Sequence, residues 1–328
     1  MVKALVTGGT GFVGSHVARM LDEQGHDVRV LHRASSRLIA LDGVKYESIT
    51  GDLDDVDVLR DACADVDWVF HVAAVSDYWR SDKARLLEIN VEGTRRVLQA
   101  ANDAGVKRVV FTSSGWAVGL RDDGQPSNET TAFNFPPDFS AYAYSKMLAE
   151  KVVDEHVSKG QDIVTVNPVI VMGPGDLNMI SGTFMTQIKR LGLLVPVTSG
   201  GAGFTDVRDV ARGHIAAAEK GRIGERYILG TANYTYAKWY KMIAETVGVA
   251  HPRFRTPDFM APITANLISM LRKLRIPTPV DESQARMSTT KVYFDYSKAH
   301  SEICKPQIDM MQSLCDTYEW YKEHGYMK

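Results

Sequence analysis

The sequence holds little that would place it in an oxidising compartment, across a membrane or on a nucleic acid. Its cysteines, Cys63, Cys304 and Cys315, are odd in number and scattered, which argues against a disulfide framework and offers no metal-type spacing. Reduced, buried thiols in a cytoplasmic protein are the expectation, with no bound metal. No apolar run approaches the ~18–20 residues that cross a bilayer. Met1 leads directly into a strand pattern, without the basic and apolar regions of a secretion signal. Lysine and arginine total 38 against 40 acidic residues, a net charge of −2, so the chain has no electrostatic footprint for nucleic acid or anionic lipid. Repeats and low-complexity tracts are also missing.

What is present is the composition of an ordinary globular protein. At 328 residues, 45% apolar and 24% charged, the chain suits one large domain or two modest ones. Its beginning is informative. Ala4-Leu5-Val6 runs into Thr7-Gly8-Gly9-Thr10-Gly11-Phe12-Val13-Gly14, and Val13, Val17, Met20 and Leu21 then share one helical face. Strand, glycine turn and helix in this order form a dinucleotide-binding fingerprint. Gly8 permits the tight turn, Gly11 admits a pyrophosphate, Gly14 lets the helix pack, and the helix N-terminus faces the phosphates.

The second strand, Val28–Leu31, ends at His32-Arg33 with no acidic residue. A carboxylate there would hold the ribose 2′-hydroxyl of NAD, whereas an arginine suits the 2′-phosphate of NADP. Arg33, backed by Ser35, Ser36 and Arg37, therefore predicts NADP. Asp52-Leu53 closes the third strand, where a carboxylate could accept from the adenine amino group. The fourth strand, Trp68–Phe70, passes into His71-Val72-Ala73-Ala74, whose small residues would let the cofactor lie close to the backbone. His71 reads as a strand-end histidine with a backbone partner. Leu86–Ala104 reads as an amphipathic helix with Asn90 in its first turns, a locally unfavourable residue that hints at a specific hydrogen-bonding task.

Val109–Phe111 forms a fifth strand that delivers Thr112-Ser113-Ser114 to the carboxyl edge of the sheet, where ligands bind in parallel α/β folds. In the following helix Tyr142 and Lys146 stand four residues apart and stack on one face, whereas Tyr144 points away. A cation one turn from a phenol lowers its pKa toward the working range of a general acid. Ile163–Val166 is a sixth strand. The strict alternation to this point predicts an α/β fold with a doubly wound parallel sheet of the Rossmann type. Beyond Asp176 it gives way to a smaller, mostly helical substrate lobe with helices at Tyr236–Val247, Phe259–Leu274 and Met310–His324. The dinucleotide domain is expected over 1–170, with 204–230 returning to it, and the lobe over 171–203 and 231–328. The stretch Phe259–Leu274, ending in Arg272-Lys273, reads as a helix covering a substrate cleft or, alternatively, as one lying on a membrane surface.

Together TGGTGFVG, GDL, the serine after the fifth strand, Tyr142-x-x-x-Lys146 and NP-x-x-V-x-GPGD resemble the extended short-chain dehydrogenase/reductases, across nearly the whole chain. Within them the pattern is similar to the dihydroflavonol-4-reductase branch and to sugar-epimerase-like relatives. The resemblance implies that Tyr142 is the general acid, that Lys146 lowers its pKa and holds the nicotinamide ribose, and that Ser114, or Ser113 if the turn is shifted by one, hydrogen-bonds the substrate oxygen. It implies a structural and relay role for Asn90. Cofactor contacts fall on Gly8, Gly11, Phe12, Val13, Gly14, Arg33, Asp52, Leu53, Val72, Ala73, Ala74, Thr112, Tyr142, Lys146, Pro168 and Val171. Val75, Tyr78, Trp79 and Trp116, with Ser114, suggest an aromatic-lined substrate pocket or else core packing. The expected reaction is NADPH-dependent reduction of a ketone or aldehyde on a hydrophobic body, with nucleotide-sugar epimerisation or dehydration using bound NAD as the alternative. Many relatives are dimers, so a homodimer is the corresponding expectation.

Overall fold

Alternate residues of the short apolar runs face opposite ways, and this builds the centre of the molecule. A computed structural model describes residues 1–76, 82–274, 276 and 282–327. Strands β1 (Lys3–Thr7), β2 (Asp27–His32), β3 (Glu47–Thr50), β4 (Trp68–His71), β5 (Arg108–Thr112) and β6 (Ile163–Pro168) form most of one parallel sheet. On one face Ala4, Val6, Phe70, Val110 and Val164 join a common core with residues of the flanking helices. On the other face Leu5, Val69, Val109, Phe111 and Ile163 do the same. Period-two burial on both sides is what a sheet covered by two helical layers requires.

The helices are α1 (Phe12–Glu23), α2 (Val56–Cys63), α3 (Lys83–Leu87), α4 (Gly93–Asp103), α5 (Ala141–Ser158), α6 (Thr183–Leu191), α7 (Val207–Lys220), α8 (Tyr236–Val247), α9 (Met260–Lys273), α10 (Glu282–Met287), α11 (Ser297–Glu302) and α12 (Met310–Glu323). The remaining strands are β7 (Ile170–Met172), β8 (Gly201–Asp206), β9 (Arg226–Leu229), β10 (Ala232–Thr235) and β11 (Lys291–Val292). The chain re-enters the main sheet at β9, giving seven strands in the order β3-β2-β1-β4-β5-β6-β9. The order reverses between β1 and β4, the switch point at which this architecture opens its ligand crevice.

The remainder of the chain is mainly helical, and Trp239, Phe204, Tyr321, Met172 and Met185 form its core. It also holds a small sheet of β7, β8, β10 and β11, which the sequence pattern did not signal because Gly201 and Gly203 interrupt the alternation in β8. Both glycines are needed there: a Cβ on Gly203 would fall 2.2 Å from the Tyr296 hydroxyl. The single helix expected over Leu86–Ala104 is instead α3 and α4 joined by a π-turn, Glu88–Glu92. Of the three thiols only Cys63 is buried; Cys304 is half-buried and Cys315 exposed, so the expectation of buried cysteines holds for one alone.

Candidate active site

Five of the longer helices start on a side-chain cap. Asp55, Ser140, Asp206, Thr235 and Asp309 each accept a backbone N–H from the first turn they precede. Helix α1 does not: its N-cap is Gly11, with no side-chain cap. Gly8 has φ +73°, and a Cβ on it would lie 2.7 Å from the backbone of Ala73, while one on Gly14 would lie 2.2 Å from the Gly8 carbonyl. Gly11 would meet nothing but the Gly8 carbonyl, at 3.3 Å. The turn is thus closed on its inner side and bare where a diphosphate would meet the uncapped N–H groups. These residues fit a dinucleotide. Phe12 and Val13, half-buried, begin the helix, and His16 Nε2 contacts the Pro174 carbonyl at 2.9 Å, which docks α1 on the loop after β7.

Arg33 stands one residue beyond β2, exposed, and forms no ion pair among the described residues. Asp52 corrects one expectation. It lies past β3, which ends at Thr50, and its carboxylate accepts the Leu53 N–H at 2.8 Å. Leu53 is buried against Gly93. Val72, Ala73 and Ala74 follow β4 half-buried, Val171 lies half-buried in β7, and Pro168 is buried at the end of β6.

His71 is held by side chains rather than by the backbone partner expected for it. Its Nδ1 meets Thr7 Oγ1 at 2.8 Å and its Nε2 meets Thr94 Oγ1 at 3.0 Å. Thr94 gives its proton to the Asn90 carbonyl and Ala73 N–H donates to Thr7, so Thr7 must donate to Nδ1 and Nε2 must donate to Thr94. One neutral tautomer satisfies every group, and burial pushes the His71 pKa down to about 3. Asn90 accepts from the Val75 N–H and donates to the Val75 carbonyl and Ser145 Oγ. Ser145 donates to the Tyr142 carbonyl at 2.8 Å. A single run of hydrogen bonds therefore ties the ends of β1 and β4 to the helix that carries Tyr142. The π-turn turns Asn90 inward for this purpose, as such turns often do at sites.

On α5 the face reading holds. Tyr142 hydrogen-bonds Ser114, Lys146 donates to the Thr112 carbonyl at 2.8 Å, and Tyr144 faces the ammonium of Lys83. The charge relation differs from the expectation. The Lys146 ammonium lies on the β5 backbone and over the Phe111 ring, so burial raises the Tyr142 pKa and the Ser114 bond opposes it. The phenol is accordingly kept protonated. Burial brings Lys146 down to about 8 against the pull of Glu150 one turn away. Thr112 uses its carbonyl for Lys146 and its hydroxyl for His214.

Neighbouring residues in extended chain point opposite ways, and this separates the two serines. Ser114 faces Tyr142. Ser113 donates to Glu150, which also receives Asn167 and Arg226. Asn167 returns to the Ser114 carbonyl at 2.9 Å. The sequence reading missed this half-buried group, although Glu150 stands four residues after Lys146 on the same helix face.

Trp116 is half-buried and touches Phe135 and Phe139, which stack on each other at 5.0 Å, and Phe133 joins them. These rings are partly open rather than sealed in a core. Phe133-x-Phe135, inside an otherwise polar loop, is the one sequence signal for this cluster. Val75 is half-buried; Tyr78 and Trp79 lie outside the described residues.

The sequence from 4 to 230 matches the model of the NAD dependent epimerase/dehydratase family. The chain belongs to that family. It is 37% identical over 330 residues to a Synechocystis sp. protein named for dihydroflavonol 4-reductase, with 98% of this chain and 95% of that one covered. Cinnamoyl-CoA reductase 1 of Petunia hybrida is 35% identical over 241 residues, covering 68% of this chain and 71% of its own. Among solved structures, the dTDP-glucose 4,6-dehydratase DesIV of Streptomyces venezuelae, with NAD bound, superposes at a TM-score of 0.79 with 25% identity and 99% of each chain covered. The chain is thus an extended short-chain dehydrogenase/reductase of the nicotinamide-dependent oxidoreductase and epimerase type.

Proposed function

We propose that this protein is an NADPH-dependent reductase that converts a ketone or aldehyde on a hydrophobic, aromatic small molecule to an alcohol. The observation that carries the reading is the Tyr142 phenol bonded to Ser114 at the end of β5, beside the half-buried rings of Trp116, Phe135 and Phe139. The glycine turn would hold the diphosphate of a nicotinamide cofactor, which would supply the hydride when bound. Tyr142 is the general acid that gives its proton to the carbonyl oxygen, and Ser114 donates a hydrogen bond to that oxygen as charge builds on it. Lys146, anchored on the Thr112 carbonyl, offers a donor for the ribose hydroxyls. Arg33 offers a cation for a 2′-phosphate where an NAD enzyme would carry an acid. The rings supply an apolar surface for the body of the substrate, as in a reductase of aromatic carbonyls. Epimerisation or dehydration of a nucleotide sugar is the second reading, favoured by the name of the family and by the dehydratase likeness; the aromatic wall and Arg33 weigh against it.

Tyr142→Phe tests the assignment. Consumption of NADPH with a panel of aromatic ketones and aldehydes should fall roughly 10²-fold or more on loss of a general acid, with cofactor affinity little changed, while Tyr144→Phe stays near wild type. The reverse result would sink the helix-face assignment.

A further inference from the structure

Helix α9 presents two faces that differ in kind. Ala261, Ala265 and Ile268 are buried, the last two packing with Ala285 of α10. Met260, Ile263, Leu267, Met270 and Leu274 are exposed. At about 100° per residue these five positions fall within roughly 80° of arc, so they form one apolar stripe rather than scattered contacts. Phe254 and Phe259, 64% and 70% exposed, extend it. The segment around Phe254 pairs with Val197, which follows the exposed Leu193 and Leu194 of a short 3-10 turn.

The charge around this patch is mainly basic. Arg190, Arg253 and Arg255 are exposed and form no ion pair among the described residues. From Ala250 to Ile276 the sequence has five basic residues and one acidic residue, Asp258. An apolar stripe of this width, edged by free cations, matches an interfacial helix whose apolar side enters the acyl boundary while the cations meet anionic headgroups. Net charge of −2 makes such attraction local to this face. We infer that α9 and the Phe254–Phe259 segment dock the protein on the surface of an anionic lipid bilayer. Helix α10 carries the link to the site: Ser283 donates to the Phe139 carbonyl, and Met287 packs in the cluster that includes Trp116. Docking would thus hold the aromatic wall next to the lipid phase. The inference stands on the patch and not on the reaction assigned to the site.

Flotation of the NADPH-loaded protein with vesicles tests it. Wild type should float with phosphatidylcholine vesicles containing phosphatidylglycerol and only weakly with phosphatidylcholine alone. The exposed double substitution Ile263→Gln/Leu267→Gln should weaken binding roughly 10–100-fold with an unchanged melting temperature. Arg253→Ser/Arg255→Ser should remove the gain from phosphatidylglycerol, about fivefold per arginine. Failure of wild type to float with either vesicle, or equal flotation of all variants, would overturn the inference. So would a dimer in sedimentation that Ile263→Gln/Leu267→Gln dissolves without vesicle binding, since the patch would then be covered by a second copy of the chain.

Discussion

Replacing each serine of the β5 turn in isolation should separate structure from chemistry. Ser113 donates to the half-buried carboxylate of Glu150, and a hydrogen bond to a charged group contributes about 1.5–3 kcal/mol. Spread over 328 residues, that loss lowers the melting temperature by roughly 2–4 °C. Asn167 and Arg226 remain on Glu150, so Ser113→Ala should still fold, and its turnover should fall by less than about tenfold because the hydroxyl points away from Tyr142. Ser114 makes a long 3.2 Å cap to the Trp116 N–H and the bond to Tyr142. Ser114→Ala should therefore cost no more than about 1 kcal/mol of stability. Its turnover should fall roughly 10²–10³-fold, as when a donor to a developing oxyanion is removed. Thermal melts and NADPH-consumption rates on both variants, with the same carbonyl substrate, give the comparison. A slow Ser113→Ala beside a near-normal Ser114→Ala would refute the reasoning and move the reacting oxygen to the Glu150 side of the turn.

Arg33→Ser should weaken NADPH binding roughly 10–100-fold, the loss of a charge-assisted contact, and leave NADH binding nearly unchanged; equal losses for both would remove Arg33 from the 2′-phosphate. His214, buried between Thr112 and the Val210 carbonyl, is pushed down to about 4 by burial, below its unfolded value near ~6.5. Its neutral form thus adds stability that is complete above the unfolded value and is lost as pH falls toward 4. Urea unfolding between these limits should show wild type losing up to about 1.4 kcal/mol per pH unit more than His214→Gln; parallel curves would contradict this.

The elements with strong local signals were legible in the sequence, and those made by long-range contact were not. Strand β1, the glycine turn and α1 follow from residues within a short window, and the i,i+4 rule separated Tyr142 from Tyr144. Arg33 at the end of β2 could be read for the same reason. The π-turn around Asn90 left only a hint, an asparagine inside a helical pattern, because its cause is bonding to Val75 and Ser145. The serine register stayed open because Ser113 and Ser114 differ only in which side of the extended chain meets Glu150. The Lys146–Thr112 contact was illegible, since helical spacing fixes the face of a side chain but not which of two nearby acceptors a long lysine takes. Of β8 only the end at Phe204 was read, and β10 escaped notice, because glycine and close packing, rather than alternation, define them. Helix α9 was read as a cover over a substrate cleft or as a helix on a membrane surface; its inner face packs on α10, and its outer stripe is exposed.

A fluorescence titration of the purified protein with NADPH and NADH, after a check for carried-over cofactor, tests the central claim most directly. The account predicts an empty site that takes NADPH tightly and in preference to NADH. Protein that arrives with NAD already bound, or that binds NADH as well as NADPH, would contradict it and favour the epimerase or dehydratase reading.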